Sequence, residues 1–186
     1  MPAPHTWERG DHPLGRGFVR PGLVASSSRS VRLELDDDGR DGAEIRTSER
    51  VGFGSYTVRM RTPYAPGSLT AFFLYEDVAT GNDEIDIEIF NDGSRLALLT
   101  AWMDGEQVRQ DSVPLPFDPA DGAHEYTIAW QAGAIDFAAD GAPLAEWGGR
   151  LPRRPMKLML NLWWPRWLEP APLPGPRAAE VEWVRW

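Results

Sequence analysis

Hydrophobic and polar residues alternate with a period of two in many short runs of this chain. Val31, Leu33 and Leu35 share one face of the run 30–35. Tyr56, Val58 and Met60 do the same within Gly54–Arg61. The run 84–90 alternates almost without error, and 69–75 is more continuously apolar. Leu96–Met103, 125–131, 135–139, Met156–Trp163 and 180–186 extend the series. Side chains of a strand point alternately to opposite faces, so each run reads as a strand with one buried side. Turn pairs separate them: Asp38-Gly39, Asp92-Gly93, Asp104-Gly105 and Asp140-Gly141. The last is the weaker hairpin signal, because its flanks do not alternate cleanly. About ten strands with turn chemistry every 8–15 residues predict an all-β sandwich or barrel.

The 17 prolines and 18 glycines are spread throughout and leave little room for a helix of ordinary length. The proline-heavy stretch 169–177 reads as a surface loop. There is no internal repeat and no linker long enough to divide the chain, so 1–186 is expected to be a single domain. Its 186 residues, 42% hydrophobic, suffice for one sizeable core. A net charge of −9 speaks against nucleic acid, which needs a basic stripe, and against an anionic membrane surface. A neutral partner suits it. No apolar run reaches ~18 residues, so no membrane span is expected. Residues 1–7 lack the basic and apolar segments of a signal peptide. The absence of cysteine excludes disulfides, thiolate nucleophiles and cysteine zinc sites. Nine tryptophans exceed what a core of this size needs and point to a binding surface.

The run Glu84-Ile85-Asp86-Ile87-Glu88 is where chemistry is expected. Three isoleucines (85, 87, 89) share the buried face and three carboxylates the other. One reading is a solvated acidic face. The other is glycoside hydrolysis by two carboxylates. A retaining mechanism wants those groups about 5–5.5 Å apart, whereas Cα atoms four residues apart on a flat strand stand about 13 Å apart. The catalytic reading therefore demands a strand concave toward its carboxylates. Asp86 then sits between the two glutamates, where coupled carboxyls push one another's pKa values apart.

Asp83-Glu84-Ile85-Asp86-Ile87-Glu88 resembles the signature of glycoside hydrolase family 16, in the form without an inserted residue that is typical of lichenases. The resemblance extends to Asp41-Gly42-Ala43-Glu44-Ile45-Arg46-Thr47-Ser48 and to Gly52-Phe53-Gly54-Ser55-Tyr56. It continues through Ala71-Phe72-Phe73-Leu74-Tyr75, His124–Gln131, Lys157-Leu158-Met159-Leu160-Asn161-Leu162-Trp163 and Val181-Glu182-Trp183. It implies a curved antiparallel jelly roll with a substrate cleft on its concave face. It implies Glu84 as nucleophile, Glu88 as general acid/base and Asp86 as assistant to Glu84. Phe73, Tyr75, Trp102 and Trp163 would face the cleft, with Glu44, Arg46 and Asn161 as polar substrate contacts. Trp164 and Trp167, in a loop, are expected on the binding surface; Phe72, Phe137, Trp130 and Trp183 are expected in the core.

The resemblance implies an endo-acting retaining hydrolase of mixed-linkage β-1,3-1,4- or β-1,3-glucan, with the polysaccharide as partner and the chain a monomer. Transglycosylation by the same residues and a non-catalytic glycan-binding jelly roll are the alternatives. No cofactor is required for the chemistry. A structural calcium ion is an expectation, with Glu182 among its ligands. Asn82, Leu98 and Thr100 depart from the family's usual residues, and the departures bear on substrate choice. His5, His12 and His124 show no metal-ligand spacing and read as structural or incidental.

Overall fold

The computed structural model describes residues 6–36, 40–171 and 177–186. The Asp38-Gly39 turn, His5 and most of the proline-heavy loop lie outside them. Sixteen strands are described. They begin with β1 (Trp7–Arg9), β2 (His12–Leu14), β3 (Gly17–Val19), β4 (Val24–Ser26), β5 (Val31–Leu35), β6 (Ala43–Val51), β7 (Gly54–Arg61) and β8 (Leu69–Val78). The chain continues through β9 (Gly81–Phe90), β10 (Leu96–Met103), β11 (Glu106–Pro114), β12 (His124–Gln131), β13 (Ala134–Ala139), β14 (Ala142–Gly148), β15 (Met156–Trp163) and β16 (Arg177–Arg185). A single 3-10 turn, Pro21–Leu23, is the only helical element among the described residues.

Two seven-stranded antiparallel sheets pack face to face. The first runs β1-β6-β15-β8-β9-β10-β11 and the second β14-β13-β12-β7-β16-β5-β4. The hairpin β2–β3 stands apart from both. The isoleucines 85, 87 and 89 are fully buried between the sheets with Phe72, Leu74, Leu158 and Leu160. Tyr56, Val58, Met60, Tyr126, Ile128, Trp130 and Phe137 meet them from the second sheet. Burying one such side chain stabilises the fold by roughly 1.5–3 kcal/mol, so this shared layer is what holds the sheets together.

The strands missed by pattern have physical reasons. β1 to β4 are three residues each, too short to show a period. β11 exposes most of its length and carries little apolar signal, yet it must follow the Asp104-Gly105 turn as a hairpin partner of β10. Asp140-Gly141 also closes a hairpin, between β13 and β14, with φ of 47° and 76° at the two positions. Both residues in the left-handed region make a tight turn that fits the strand twist, and this outweighs the poor alternation of β14. Arg177, placed with the loop by its prolines, is the first residue of β16.

Trp183 is not in the core. A register shift in β16 between Val181 and Trp183 sets Trp183 opposite Arg59, leaving it half-exposed beneath the Arg185 guanidinium, 4.1 Å from the ring centroid. A bulge inserts one residue and so reverses the inside–outside alternation that the sequence implied.

Candidate active site

β9 lies near the middle of the first sheet, paired with β8 on one side and β10 on the other. The cross-strand register assembles three rows over the face away from the core. Glu44, Asn161, Ala71, Glu88 and Leu98 form one. Arg46, Met159, Phe73, Asp86 and Thr100 form the second. Lys157, Tyr75, Glu84 and Trp102 form the third. Residues from strands distant in sequence thus flank each carboxyl group, because antiparallel pairing brings opposed side chains to about 5 Å.

Two adjoining cavities, of about 850 and 580 Å³, share the row Asn82, Glu84, Asp86 and Glu88 as common lining. The acidic face of β9 is therefore the floor of an open groove, with walls on both sides, rather than a solvated outer surface. Phe73, Tyr75, Glu44, Arg46, Asn161 and Trp163 line the larger cavity. Trp102 and Trp167 line the smaller, with Gln107, Gln110 and Ser112 of β11. Trp167 is 56% exposed and packs edge-on against Phe90. Trp164, expected beside it on the surface, is 1% exposed and belongs to the core. The two tryptophans, three positions apart, thus lie one inside and one outside as the chain leaves β15.

The electrostatics follow from this burial. Burial pushes Glu84 up to about 7, against hydrogen bonds from Asp86 and from Asn82, whose Nδ2 donates to Glu84 Oε2 at 2.7 Å. Burial also pushes Glu88 up to about 8, and the Glu84 charge adds to it. Asp86, 4% exposed, is raised well above the usual carboxylate range by burial and by the charges of Glu84 and Glu88 on either side. The Thr100 hydroxyl donates to Asp86 Oδ2 and partly opposes that rise. Three carboxyls this close cannot all ionise together, so protons are shared along the row. The Trp163 indole N–H lies beside Glu88 and draws its pKa down, although it makes no hydrogen bond of good geometry.

Several of these partners were absent from the sequence reading or read differently. Asn82 and Thr100, departures from the family pattern, are direct hydrogen-bond partners of the carboxyl row. A period-two count from Asp86 could not reach Thr100, since register across β9 and β10 is set by the intervening turn. His12 is not incidental. Its Nε2 lies 3.0 Å from Glu44 Oε1, and it lines the larger cavity. Burial pulls the His12 pKa down, but the Glu44 bond, the Pro13 carbonyl and the Glu44 charge together outweigh it and hold the value above the usual one. His124 is structural: its Nδ1 meets Asp140 Oδ2 at 2.7 Å and its ring stacks on Phe117.

Asp83 points away from the groove and is fully buried. It accepts the Asp104 backbone N–H at 2.9 Å and both bonds of the Arg154 guanidinium at 3.0 and 3.1 Å. The residue before Glu84 thereby anchors that end of the strand.

Glu182, the expected calcium ligand, accepts from Arg59 Nε at 2.8 Å. Among the described residues no group of three or more His, Cys, Asp or Glu side chains is arranged to hold a metal. A carboxylate already neutralised by a guanidinium fits calcium poorly, since the ion gathers six to eight oxygen ligands.

An all-β sandwich that sets three coupled carboxyls in an aromatic-walled groove defines a glycan-cleaving hydrolase. The chain belongs to the glycosyl hydrolases family 16, whose model matches residues 19–185. A beta-glucanase of Paenibacillus macerans is 28% identical over 200 residues, covering 97% of this chain and 82% of that protein. The structure of a Bacillus licheniformis beta-glucanase superposes with a TM-score of 0.86 at 27% identity, over 96% of this chain and 90% of that one. A prokaryotic beta-1,3-1,4-glucanase (lichenase) from a mouse hindgut metagenome gives 0.87 at 27% identity, over 96% and 91%.

Proposed function

We propose that this protein is a retaining endo-β-glucanase acting on mixed-linkage β-1,3-1,4-glucan or β-1,3-glucan. The observation that carries the reading is the triplet Glu84, Asp86 and Glu88 on the groove floor, coupled and held at raised pKa values. The relatives' names, beta-glucanase and lichenase, supply the substrate class.

The resemblance of the run 83–88 to the family motif makes Glu84 the nucleophile, with the Asn82 amide donating to its carboxylate. Its carboxylate attacks the anomeric carbon while protonated Glu88 gives its proton to the departing glycosidic oxygen. The bond to the leaving sugar breaks as the bond to Glu84 forms. Glu88, now ionised, then takes a proton from water, which displaces Glu84 from the same carbon. Two inversions return the original anomeric configuration. Asp86, between them and bonded to Glu84, carries the proton that keeps the row from accumulating charge.

A groove open along its length suits a polymer bound mid-chain, which is the endo mode. Phe73, Tyr75, Trp102, Trp163 and Trp167 offer faces for sugar rings. Asn161 Oδ1 and Trp163 Nε1 are a buried acceptor and a buried donor two residues apart on β15; neither makes a well-formed hydrogen bond, the indole N–H only lying beside Glu88. Buried polar groups are rarely left unpaired, and sugar hydroxyls would satisfy both.

Reducing-end release from barley mixed-linkage glucan, laminarin and a cellulose derivative tests the proposal, with NMR of the first product formed. Release from at least one glucan, with the β-anomer appearing first, is expected. No release from any β-glucan rejects the function, and a first-formed α-anomer rejects the retaining mechanism.

A further inference from the structure

The hairpin β2–β3 belongs to neither sheet, yet its tip makes one of the densest polar attachments in the molecule. Arg16 Nε donates to the carbonyls of Pro165 at 3.1 Å and Leu168 at 3.2 Å. Its Nη2 donates to the carbonyls of Arg166 at 2.9 Å and Leu168 at 2.8 Å, and to Glu169 Oε1 at 3.0 Å. The Arg16 backbone N–H bonds Trp164 O at 2.8 Å, and Arg166 Nε returns a bond to Gly15 O at 2.7 Å. All these partners lie in the segment 164–169, which is not part of any strand and has no ladder to satisfy its carbonyls. A planar guanidinium with five donors can gather several carbonyls of one loop, which an ammonium cannot do in the same geometry.

Gly15 has φ of +56°, and a Cβ there would stand 2.7 Å from Trp163 Cε3 and 2.1 Å from Trp164 O. The hairpin backbone therefore lies flat against the Trp163 indole, an approach only glycine permits. Trp163 in turn lies beside Glu88, and Trp167, at the far side of the clasped loop, lines the smaller cavity.

We infer that the β2–β3 hairpin is a bracket that sets Trp163 and Trp167 on either side of the carboxyl row, with Arg16 as the positioning residue that locks it. Arg16 touches no reacting atom; it acts through the two tryptophans. The bracket ties glycan binding on both sides of the cleavage point to one side chain. The inference rests on the reading of the groove as a glucan site.

The test compares wild type, Arg16→Ala and Arg16→Lys on polymeric mixed-linkage glucan, with the indole N–H signals of the 15N-labelled protein followed in parallel. Arg16→Ala is expected to raise KM about tenfold while kcat stays within about twofold, because sugar platforms move and the carboxyls do not. Arg16→Lys recovers part of the loss. The Trp163 and Trp167 indole signals, assigned by Trp→Phe variants, should shift, and those of Trp130 and Trp147 should not. An unchanged KM in an active Arg16→Ala protein overturns the bracket. So does a shift of all the indole signals together, which marks general loosening. Should the wild type cleave no glucan, the functional reading falls on its own, and the bracket is judged on the indole signals: unmoved Trp163 and Trp167 overturn it. Should Arg16→Ala not fold, Arg16→Lys alone carries the same comparison, with KM and the same two signals deciding.

Discussion

A buried carboxyl group keeps its proton longer than one in water, as Glu84, Asp86 and Glu88 all do, and neighbouring negative charge adds to the effect at Asp86 and Glu88. The proposed mechanism needs Glu84 ionised and Glu88 protonated. With Glu84 at about 7 and Glu88 at about 8, that state is most populated between the two values. A kcat/KM profile against pH is therefore expected to be bell-shaped with its maximum between about 7 and 8. The two limbs belong to the coupled row rather than to either residue alone. Glu84→Gln removes the proposed nucleophile and should lower kcat by at least about a thousandfold. The same change should alter stability in a pH-dependent direction. Groups whose folded pKa exceeds the ordinary 4.5 hold protons better folded than unfolded, so the contribution of Glu84 and Glu88 to stability is fully present below about 4.5 and is lost as pH rises to about 8. Glu84→Gln escapes that loss. Its melting temperature should exceed the wild type's at pH 8, with the gain vanishing at pH 4. A variant no more stable at pH 8 contradicts the buried-row electrostatics.

β9 combines two opposite faces: one drives folding and the other opposes it. Ile85, Ile87 and Ile89 bury completely, and this offsets the repulsion among the three acids. Asp83 fixes the end of the strand next to Glu84 through Arg154 and the Asp104 N–H. Asp83→Ala would leave that half-buried N–H without its partner. Arg154 is 52% exposed and would regain water, so the cost should be about 2 kcal/mol rather than the 3–5 of a fully buried pair. Denaturant unfolding measures it; a loss below about 0.5 kcal/mol would remove Asp83 as an anchor. The strand's alternation is visible in the residues, and so is Asp83's buried phase. That Asp83 meets Arg154, 71 positions away, is not visible, because the meeting depends on how β9 and the segment before β15 lie in the sandwich.

At the scale of the molecule, a net charge of −9 surrounds a groove whose cations are paired: Arg46 with Glu8, Arg50 with Glu76 and Lys157 with Glu8. A neutral glucan approaches such a surface without electrostatic steering. Its kcat/KM should change less than about twofold between 0.05 and 0.5 M salt, since screening has nothing to remove. A steep salt dependence would point to a charged polysaccharide instead. The all-β class, the core face of most long strands, the acidic row and the family were set by local order: period-two alternation, Asp-Gly turns and a run of short motifs. These need only nearest neighbours along the chain, which the sequence contains. The tertiary structure alone decided what stands beside what. It turned Trp164 inward and Trp167 outward, moved Trp183 out of the core with one bulged residue, and brought Thr100 to Asp86, His12 to Glu44 and Arg16 to the Trp163–Trp167 loop. Each of those meetings depends on strand register and sheet packing, and a one-residue shift in register would send every such side chain to the other face.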